Sequence, residues 1–183
     1  MPRNDTKQVI LCGLGGQGVV LAGSLLGAAG FADGLRVSGT ASYGAAARGG
    51  ECRSEVILSS ADVAFPFVTR ANILVALSQT AYDRYISWTS ESDGVVYYDP
   101  DLVEPKEGAS QLHVAIPASG KTEEILGTKT GANITMLAAV VEATGAASFE
   151  SLVEVVKTRS PKRFLGQNLK ALELGRSLAR EAG

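Results

Sequence analysis

The sequence predicts an α/β domain with a mostly parallel sheet and a helical C-terminal third. Over the first two thirds of the chain, short apolar segments of strand length alternate with segments of helical length, which is the pattern of parallel βαβ units. From about residue 133 the apolar residues recur only at helical spacing. A chain of 183 residues, 45% hydrophobic and 20% charged, is long enough for a sizeable core. We therefore expect a single domain over residues 1–183.

The chain opens with a strand followed by a glycine-rich helix. The apolar residues of Gln8–Cys12 predict the strand, and the helix is expected from Gly16 to Ala32, ended by Asp33-Gly34. Glycine costs helix stability relative to alanine, so glycines along one helix predict close approach of a neighbouring backbone. They recur here at helical spacing, at Gly23, Gly27 and Gly30.

The middle of the chain contains the other predicted strands. The second strand begins at Leu35-Arg36-Val37, and the small, polar, glycine-rich residues 38–50 read as a long loop after it. Asn72–Leu77 is a short uninterrupted apolar run, as expected of a buried parallel strand. The remaining elements are a strand at Glu51–Leu58, a turn at Asp62–Pro66, a helix at Gln79–Trp88, and strands at Gly94–Tyr98 and Gln111–Ile116.

Three helices are expected in the last third of the chain. Asn133 is of a type that caps helices and precedes a helical run to Thr144. A second helix begins at Ser148 or Phe149, and Pro161 starts the last one. One face of that last helix carries Leu165, Leu169, Leu172 and Ala179, with Gly175 between them.

The composition excludes several classes of function. The net charge of −2 implies no basic surface for nucleic acid. Two cysteines and one histidine are too few for a zinc site or for an iron–sulfur cluster, which takes about four cysteines. A disulfide between Cys12 and Cys52 is one possibility, and a reduced, cytosolic pair is the expected one.

The N-terminal part of the chain contains an uncharged segment as long as a membrane span, but glycines interrupt its apolar residues. No charged residue occurs from Gln8 to Ala32, which is long enough to cross a bilayer. Glycines divide this run into a strand and a helix, and the same glycines interrupt what would be the apolar region of a signal peptide. We expect a soluble, cytoplasmic protein with no membrane partner.

The first candidate site is the glycine loop that joins the first strand to the first helix. Gly13, Gly15 and Gly18 have the G-x-G-x-x-G spacing, with Gly16 and Gln17 between them. Such glycines allow a tight turn and let a ligand phosphate approach the backbone and the N–H groups of the following helix. They equally serve tight strand–helix packing without any ligand. A dinucleotide site would also need an acidic residue at the end of the second strand, and that strand, which reads as ending in Val37-Ser38-Gly39, lacks one.

A second candidate is Ser119-Gly120-Lys121-Thr122, which resembles the end of a phosphate-binding P-loop. Ala115 stands where that loop needs its first glycine, and Pro117 removes an N–H donor inside it. The alternative is a helix start with an exposed lysine, which the sequence favours.

A third candidate is the segment Tyr43–Gly50. Arg48 stands between an alanine run and Gly49-Gly50, where it would reach an anion or a carboxylate of a partner. A flexible surface loop with a solvated arginine is the alternative.

Other polar residues favour structural roles. His113, the single histidine, lies in an apolar strand, and a satisfied sheet-face histidine fits it better than a catalytic base. Glu123-Glu124 are adjacent on a predicted helix, where neighbours point apart, and they read as a solvated face. We find no catalytic residue and no metal site in this chain.

Two motifs of this chain resemble motifs of the gamma subunit of 2-oxoacid:ferredoxin oxidoreductases, and they occur in the order found in that family. The opening run Gly13-Leu14-Gly15-Gly16-Gln17-Gly18-Val19 is similar to the start of that family. Its Tyr-Gly-x-x-x-Arg-Gly-Gly motif is matched by Tyr43, Gly44, Arg48, Gly49 and Gly50, with alanine where the family has an acidic residue. The family's Asp-x-Leu-Val-Ala-Leu strand resembles Asn72–Leu77 with Asn in place of Asp. Asn133 and the closing segment Asn168–Gly175 also fit.

The resemblance implies a three-layer, Rossmann-like domain within a multi-subunit enzyme. Such enzymes oxidatively decarboxylate a 2-oxoacid, form an acyl-CoA and reduce ferredoxin. Thiamine diphosphate and iron–sulfur clusters are implied on alpha, beta and delta partner subunits, and the isolated chain is expected to be inactive, with self-association left open. By carry-over, Gly13, Gly15, Gly16, Gln17 and Gly18 are expected to face a phosphate of coenzyme A. A subunit or coenzyme A contact is expected at Tyr43, Gly44, Arg48, Gly49, Gly50 and Asn133.

Two other functions stay open at this point. One is a stand-alone nucleotide-binding module, and the other is an assembly scaffold whose glycine loop binds no ligand. The choice of 2-oxoacid does not follow from the sequence.

Overall fold

The computed structural model describes residues 6–44 and 49–182. Within these ranges six strands form one sheet: β1 Lys7–Leu14, β2 Arg36–Tyr43, β3 Glu51–Ser59, β4 Ile73–Ala76, β5 Val95–Tyr98 and β6 Leu112–Ala115. The helices of the same ranges are α1 Val19–Ala32, α2 Gln79–Tyr85, α3 Ala118–Leu126, α4 Ala132–Thr144, α5 Phe149–Arg159 and α6 Lys162–Ala182. A 3₁₀ turn at Ile86–Trp88 continues α2.

The strand order is β2-β3-β1-β4-β5-β6. Strands β1, β4, β5 and β6 are mutually parallel, which confirms the predicted mostly parallel sheet. Strand β3 lies antiparallel between β1 and β2. The sheet therefore has a four-stranded parallel part and a two-stranded antiparallel margin.

The loop predicted for residues 38–50 is wrong over its first half. Strand β2 continues to Tyr43 and pairs with β3 along its whole length, from Arg36 opposite Ser59 to Tyr43 opposite Cys52. Strand β2 is largely exposed on both faces, so it does not need alternating apolar side chains. Its small polar residues therefore lack the period of two that predicts a strand.

The position of β2 also removes the geometric basis of a dinucleotide site. In a dinucleotide-binding βαβ unit the second strand lies directly beside the first and pairs parallel with it. Here β2 is separated from β1 by β3 and pairs antiparallel with that strand.

Both faces of the sheet are covered, which confirms the predicted three layers. Side chains from α1, α4, α5 and α6 form the larger apolar core on one face. On the other face α2, the 3₁₀ turn and residues of the connections around Val68 and Val103 form a smaller core. The helical C-terminal third is also confirmed, with α5 capped by Ser148, whose hydroxyl accepts from the Ser151 N–H.

The glycines of α1 allow that helix to lie close to β3. The atoms nearest to these glycines belong to side chains of the strand and not to its backbone. A Cβ at Gly23 would lie 2.1 Å from Ser54 Oγ, and one at Gly30 would lie 2.4 Å from Leu58 Cδ2. The glycines therefore allow the close helix–sheet contact that the sequence predicted.

The two cysteines lie on opposite faces of the sheet. Cys12 stands opposite Arg53 and Cys52 opposite Gly13 in the β1–β3 pair, so the two are one register step apart. Cys12 belongs to the smaller core and Cys52 to the larger one, and both are free thiols. The reduced state expected from the sequence is the one this geometry allows.

Among the described residues, no helix is both long enough and apolar enough to cross a membrane. Within the same residues, no group of three or more His, Cys, Asp or Glu side chains is arranged to hold a metal ion.

Candidate functional site

A cavity of about 460 Å³ lies at the carboxyl ends of the parallel strands. The glycine loop follows β1, Leu77 follows β4, and Asp99 follows β5, and all three contribute to its wall. The opposite wall is the segment Lys129–Asn133, which leads into α4. Clefts at this edge of an open α/β sheet are the usual ligand sites of such folds.

Gln17 lines the cavity, and its side-chain amide holds the glycine loop in place. Its Oε1 accepts from the Leu14 N–H at 2.6 Å, and its Nε2 donates to the Leu77 carbonyl at 2.7 Å. Both ends of the amide are therefore used by the protein backbone. This makes Gln17, predicted as a ligand contact, a positioning residue that ties the loop to the end of β4.

The loop conformation requires glycine at three positions. Gly16 and Gly18 have φ values of 101° and 75°, in the left-handed region that other residues rarely adopt. A Cβ at Gly13 would lie 2.6 Å from Gln17 Oε1 and 3.1 Å from Leu77 Cβ. The glycines thus allow the turn and the packing of Gln17 against it.

Asn133 does not cap α4, as the sequence suggested. The cap is Gly131 with φ of 102°, and no side chain bonds to that helix end. Asn133 lies in the first turn, and its Nδ2 donates to the Gly18 carbonyl at 3.2 Å. The same carbonyl accepts from the Ala22 N–H at 2.9 Å. Asn133 therefore joins the start of α4 to the start of α1 across the cavity.

The charge around the cavity favours an anion. Helices α1 and α4 both begin at its wall, neither end is capped by a side chain, and neither first turn contains an acidic residue. The positive end of each helix dipole therefore lies at the cavity wall. In the first turn of α4 the Ala132 and Ile134 N–H groups donate to the Lys129 and Gly131 carbonyls. Lys129 adds an ammonium, whose ion pair with Glu123 at 3.5 Å is largely exposed and therefore weak.

Among the described residues that line the cavity, Asp99 alone is acidic, and its carboxylate bonds to the start of α3. The residue is fully buried. Its two oxygens accept from the Ser119 N–H at 2.7 Å and the Asp101 N–H at 3.1 Å. Burial raises the pKa of Asp99, although these hydrogen bonds act in the opposite direction. The carboxylate thus holds the start of α3 in place at the cavity wall.

The second predicted motif meets the glycine loop. The Gly15 N–H donates to the Gly50 carbonyl at 2.7 Å, and the Gly44 N–H donates to the Glu51 carbonyl at 2.7 Å. Gly49 has φ of 74°, and the Tyr43 side chain is 68% exposed. Arg48, predicted as the charged group of this motif, lies outside the described residues.

The remaining candidates have the structural roles that the sequence favoured. Ser119–Thr122 lies within α3, and Lys121 is exposed and pairs with Glu124 at 2.8 Å. His113 Nε2 lies 3.0 Å from the Tyr82 hydroxyl, and its Nδ1 lies 2.8 Å from the Gln111 carbonyl.

Several cavity residues were not predicted from the sequence: Leu21, Leu77, Asp99, Leu102, Lys129 and Gly131. They belong to segments that are far apart in the chain, and the fold brings them together. A turn around Gly131 just before a helix is the one local signal that could have pointed to the wall opposite the glycine loop.

The family model described as pyruvate ferredoxin/flavodoxin oxidoreductase matches residues 8–178. The chain is 37% identical over 182 residues to the 2-oxoglutarate synthase subunit KorC of Methanothermobacter marburgensis, covering 96% of this chain and 97% of the relative.

Two solved structures extend this likeness. The gamma subunit of a keto/oxoacid ferredoxin oxidoreductase from Geobacter sulfurreducens superposes with a TM-score of 0.84 at 34% identity, covering 96% of this chain and 99% of that one. A 2-oxoglutarate:ferredoxin oxidoreductase from Magnetococcus marinus, with 2-oxoglutarate, coenzyme A and succinyl-CoA bound, superposes with a TM-score of 0.87 at 24% identity. The match covers 97% of this chain and 32% of that longer one, and it shows a shared fold.

Proposed function

The chain belongs to the pyruvate ferredoxin/flavodoxin oxidoreductase family as a gamma subunit of a multi-subunit 2-oxoacid:ferredoxin oxidoreductase, and we propose that within that enzyme it binds coenzyme A. The enzyme would decarboxylate a 2-oxoacid oxidatively, form the acyl-CoA and reduce ferredoxin. The full-length likeness to KorC makes 2-oxoglutarate the first substrate to test.

The observation that carries this proposal is the cavity between the glycine loop and the start of α4. Two uncapped helix N-termini and Lys129 meet there, and coenzyme A is a ligand with several phosphates. A phosphate bound between these helix ends would be stabilised by both helix dipoles and by the ammonium.

The apolar part of the wall suits the rest of such a ligand. Leu21 and Leu102 are partly exposed, at 51% and 37%, and both line the cavity. Leucines beside an anion site would cover a nonpolar portion of coenzyme A and exclude water from it. The glycine loop allows the ligand to approach the backbone at Gly16 and Gly18, where no Cβ intervenes.

We further propose that the redox chemistry resides on partner subunits. With two cysteines in the chain and both buried on opposite faces of the sheet, this subunit does not supply the ligands of an iron–sulfur cluster. Thiamine diphosphate and the clusters would then lie on alpha, beta and delta chains. Two reduced, buried thiols also fit a cytoplasmic enzyme.

Calorimetric titration of the purified chain with coenzyme A tests the proposal. Replacing Lys129 by Ala removes one ammonium contact with phosphate. Because Lys129 is largely exposed, such a contact contributes up to about 1 kcal/mol, so we expect an increase in Kd of up to about fivefold. The matched control is Lys121→Ala, which removes a similar exposed lysine with a similar ion pair on α3 and should leave Kd unchanged.

The competing functions give different results in the same experiment. Tight binding of NAD or ATP without any heat from coenzyme A would indicate a nucleotide-binding module. No binding of any of the three, together with stable association with the alpha and beta chains, would indicate an assembly scaffold. Equal affinities of the Lys129→Ala variant and the unaltered chain would remove the cavity from the proposal.

A further inference from the structure

Strand β2 forms an open edge of the sheet. It pairs with β3 on one side, and in the part of the chain that the structure describes no strand pairs with its other side. The pairing with β3 runs without a bulge over all eight residues. Such an edge is a template for another strand.

The hydrogen-bond pattern identifies which backbone groups face outward. The Gly44 N–H donates to the Glu51 carbonyl of β3, so the even-numbered residues of β2 direct their N–H and C=O toward β3. Because an antiparallel ladder alternates, the N–H and C=O groups of the odd-numbered residues point away from the sheet. These residues are Val37, Gly39, Ala41 and Tyr43.

This edge has few of the features that protect sheet edges. It contains no proline, and its one charged residue, Arg36, is paired with Asp62 at 3.1 Å. Two exposed aromatic rings lie on a loop that contacts the strand. Ser38 Oγ donates to the Pro66 carbonyl at 2.8 Å, which places the loop containing Phe65 and Phe67 beside the strand, and these rings are 57% and 51% exposed. Exposed apolar groups beside an open edge are typical of an interaction surface.

We propose that β2 pairs with β2 of a second copy of this chain, in an antiparallel arrangement with a two-fold axis at Thr40. In that register Val37 lies opposite Tyr43 of the other copy and Gly39 lies opposite Ala41. Residues whose N–H and C=O groups point away from the sheet then lie opposite residues of the same kind in the other copy. This is the condition for forming the hydrogen bonds of an antiparallel ladder. The two sheets become one continuous sheet.

The side chains of the strand are compatible with this self-pairing and make it specific. Val37 with Tyr43 is a β-branched residue beside an aromatic ring, and Thr40 meets Thr40 at the axis, both favourable cross-strand pairs. Arg36 falls opposite Gly44, so no like charges face each other across the two-fold axis. A strand that is complementary to itself in sequence and in hydrogen-bond phase favours a second copy over an unrelated strand.

The first test is the mass of the full chain in solution. The proposal gives a concentration-dependent species of twice the 19.0 kDa mass of one chain by light scattering. Ala41→Pro removes an outward N–H that the chain's own sheet does not use, a position where edge strands accept proline, and it should shift the protein to monomer. Its coenzyme A affinity should change less than twofold, which separates this inference from the proposed ligand site.

The second test is a cross-link at the axis. In a non-hydrogen-bonded antiparallel pair the Cα atoms are about 4.5 Å apart, within the range that a disulfide spans. Thr40→Cys should therefore give a disulfide-linked dimer on mild oxidation. Ser42→Cys is the control, because its symmetry mate would lie about 13 Å away along the strand, and it should stay unlinked.

Three results would overturn the proposal. They are a chain that is monomeric at every concentration tested, a dimer that persists unchanged in the Ala41→Pro variant, and linkage of Ser42→Cys as readily as of Thr40→Cys. Loss of association with a partner subunit in Ala41→Pro, with no homodimer in the unaltered chain, would assign the edge to that subunit instead.

Discussion

Gln17 and Asn133 show that polar side chains near a glycine loop can act on its backbone rather than on a ligand. Gln17 bonds to Leu14 and Leu77, and Asn133 bonds to Gly18. Gln17 fixes the Leu14 N–H and the Leu77 carbonyl, and Asn133 fixes the Gly18 carbonyl at the start of α1. The binding chemistry proposed for the cavity then falls to backbone N–H groups and Lys129, which need this positioning to converge on a phosphate.

Removal of the Gln17 amide should destabilise the fold. Gln17→Leu leaves the Leu14 N–H and the Leu77 carbonyl without their partner, and an unsatisfied group costs about 1–3 kcal/mol. We expect a loss of that size in the free energy of unfolding measured with urea. Gln167→Leu is the control, because Gln167 is half-buried and donates to the Thr130 carbonyl in a bond that solvent reaches. A Gln17→Leu variant as stable as this control would show that the loop does not depend on the amide.

At the scale of elements, α1 is held by two different kinds of contact. Its glycines allow β3 side chains to lie close to the helix backbone, and its C-cap residue Asp33 joins it to the start of α5. The Asp33 carboxylate accepts from the Ser148 N–H and Ser148 hydroxyl, both at 2.6 Å, and from the Ser151 hydroxyl. The orientation of α1, and with it the position of its N-terminus at the cavity, follows from contacts along the helix and at its C-terminal end.

Two glycine-to-alanine substitutions should have opposite effects. Gly23→Ala places a Cβ 2.1 Å from Ser54 Oγ and 2.7 Å from Ser54 Cβ, and overpacking of this kind costs about 1–3 kcal/mol. Gly166→Ala on α6 meets nothing within 4 Å, so the higher helix propensity of alanine should stabilise the protein by up to about 1 kcal/mol. Thermal unfolding of both variants measures the difference. The double variant Gly23→Ala/Ser54→Gly should recover most of the loss, and its failure to do so would place the cost elsewhere.

The Asp33 contact should make stability depend on pH. Burial alone would raise the pKa of Asp33, but the hydrogen bonds from Ser148 and Ser151 outweigh it and lower that pKa below 3.8. A lowered pKa in the folded state means that the contribution is complete above the unfolded value and is lost as pH falls through the folded value. Asp33→Asn should therefore cost about 1 kcal/mol at pH 7, with the difference from the unaltered chain shrinking below about pH 4.

Urea unfolding of both proteins at several pH values checks this expectation. Asp62→Asn is the control, because Asp62 is 94% exposed and forms a single ion pair with Arg36, a contact that contributes less than about 1 kcal/mol. A pH-independent difference for Asp33→Asn would contradict the hydrogen-bond account.

At the scale of the molecule, the parallel half of the sheet was predictable and its antiparallel margin was not. Buried strands such as β4 consist of consecutive apolar residues, which a sequence displays directly. The direction of β3 and the length of β2 are set by hydrogen bonds between backbones. The side chains of these two strands do not show which backbones will pair. Only one wall of the cavity was predicted, because the sequence shows local motifs and not the contacts between distant segments. The glycine loop is a local motif, whereas Lys129 and Asp99 reach it only through the fold.

Each of the two cores should protect one cysteine from thiol reagents, the smaller core Cys12 and the larger core Cys52. Burial raises the pKa of the Cys12 thiol, with a smaller contribution from Glu51 in the same direction, and burial also raises the pKa of Cys52. Because the thiolate is the reactive form, native protein should react with Ellman's reagent far more slowly than unfolded protein.

The variants Cys12→Ser and Cys52→Ser report each thiol alone. Access to Cys52 requires α1 to separate from the sheet, and access to Cys12 requires opening of the smaller core under α2. If the sheet and both layers unfold as one unit, both variants should label at the same rate, equal to that of global unfolding. Rapid labelling of Cys52 alone would indicate separate opening of the helical layer, and a native Cys12–Cys52 disulfide found by mass spectrometry would contradict their placement on opposite faces.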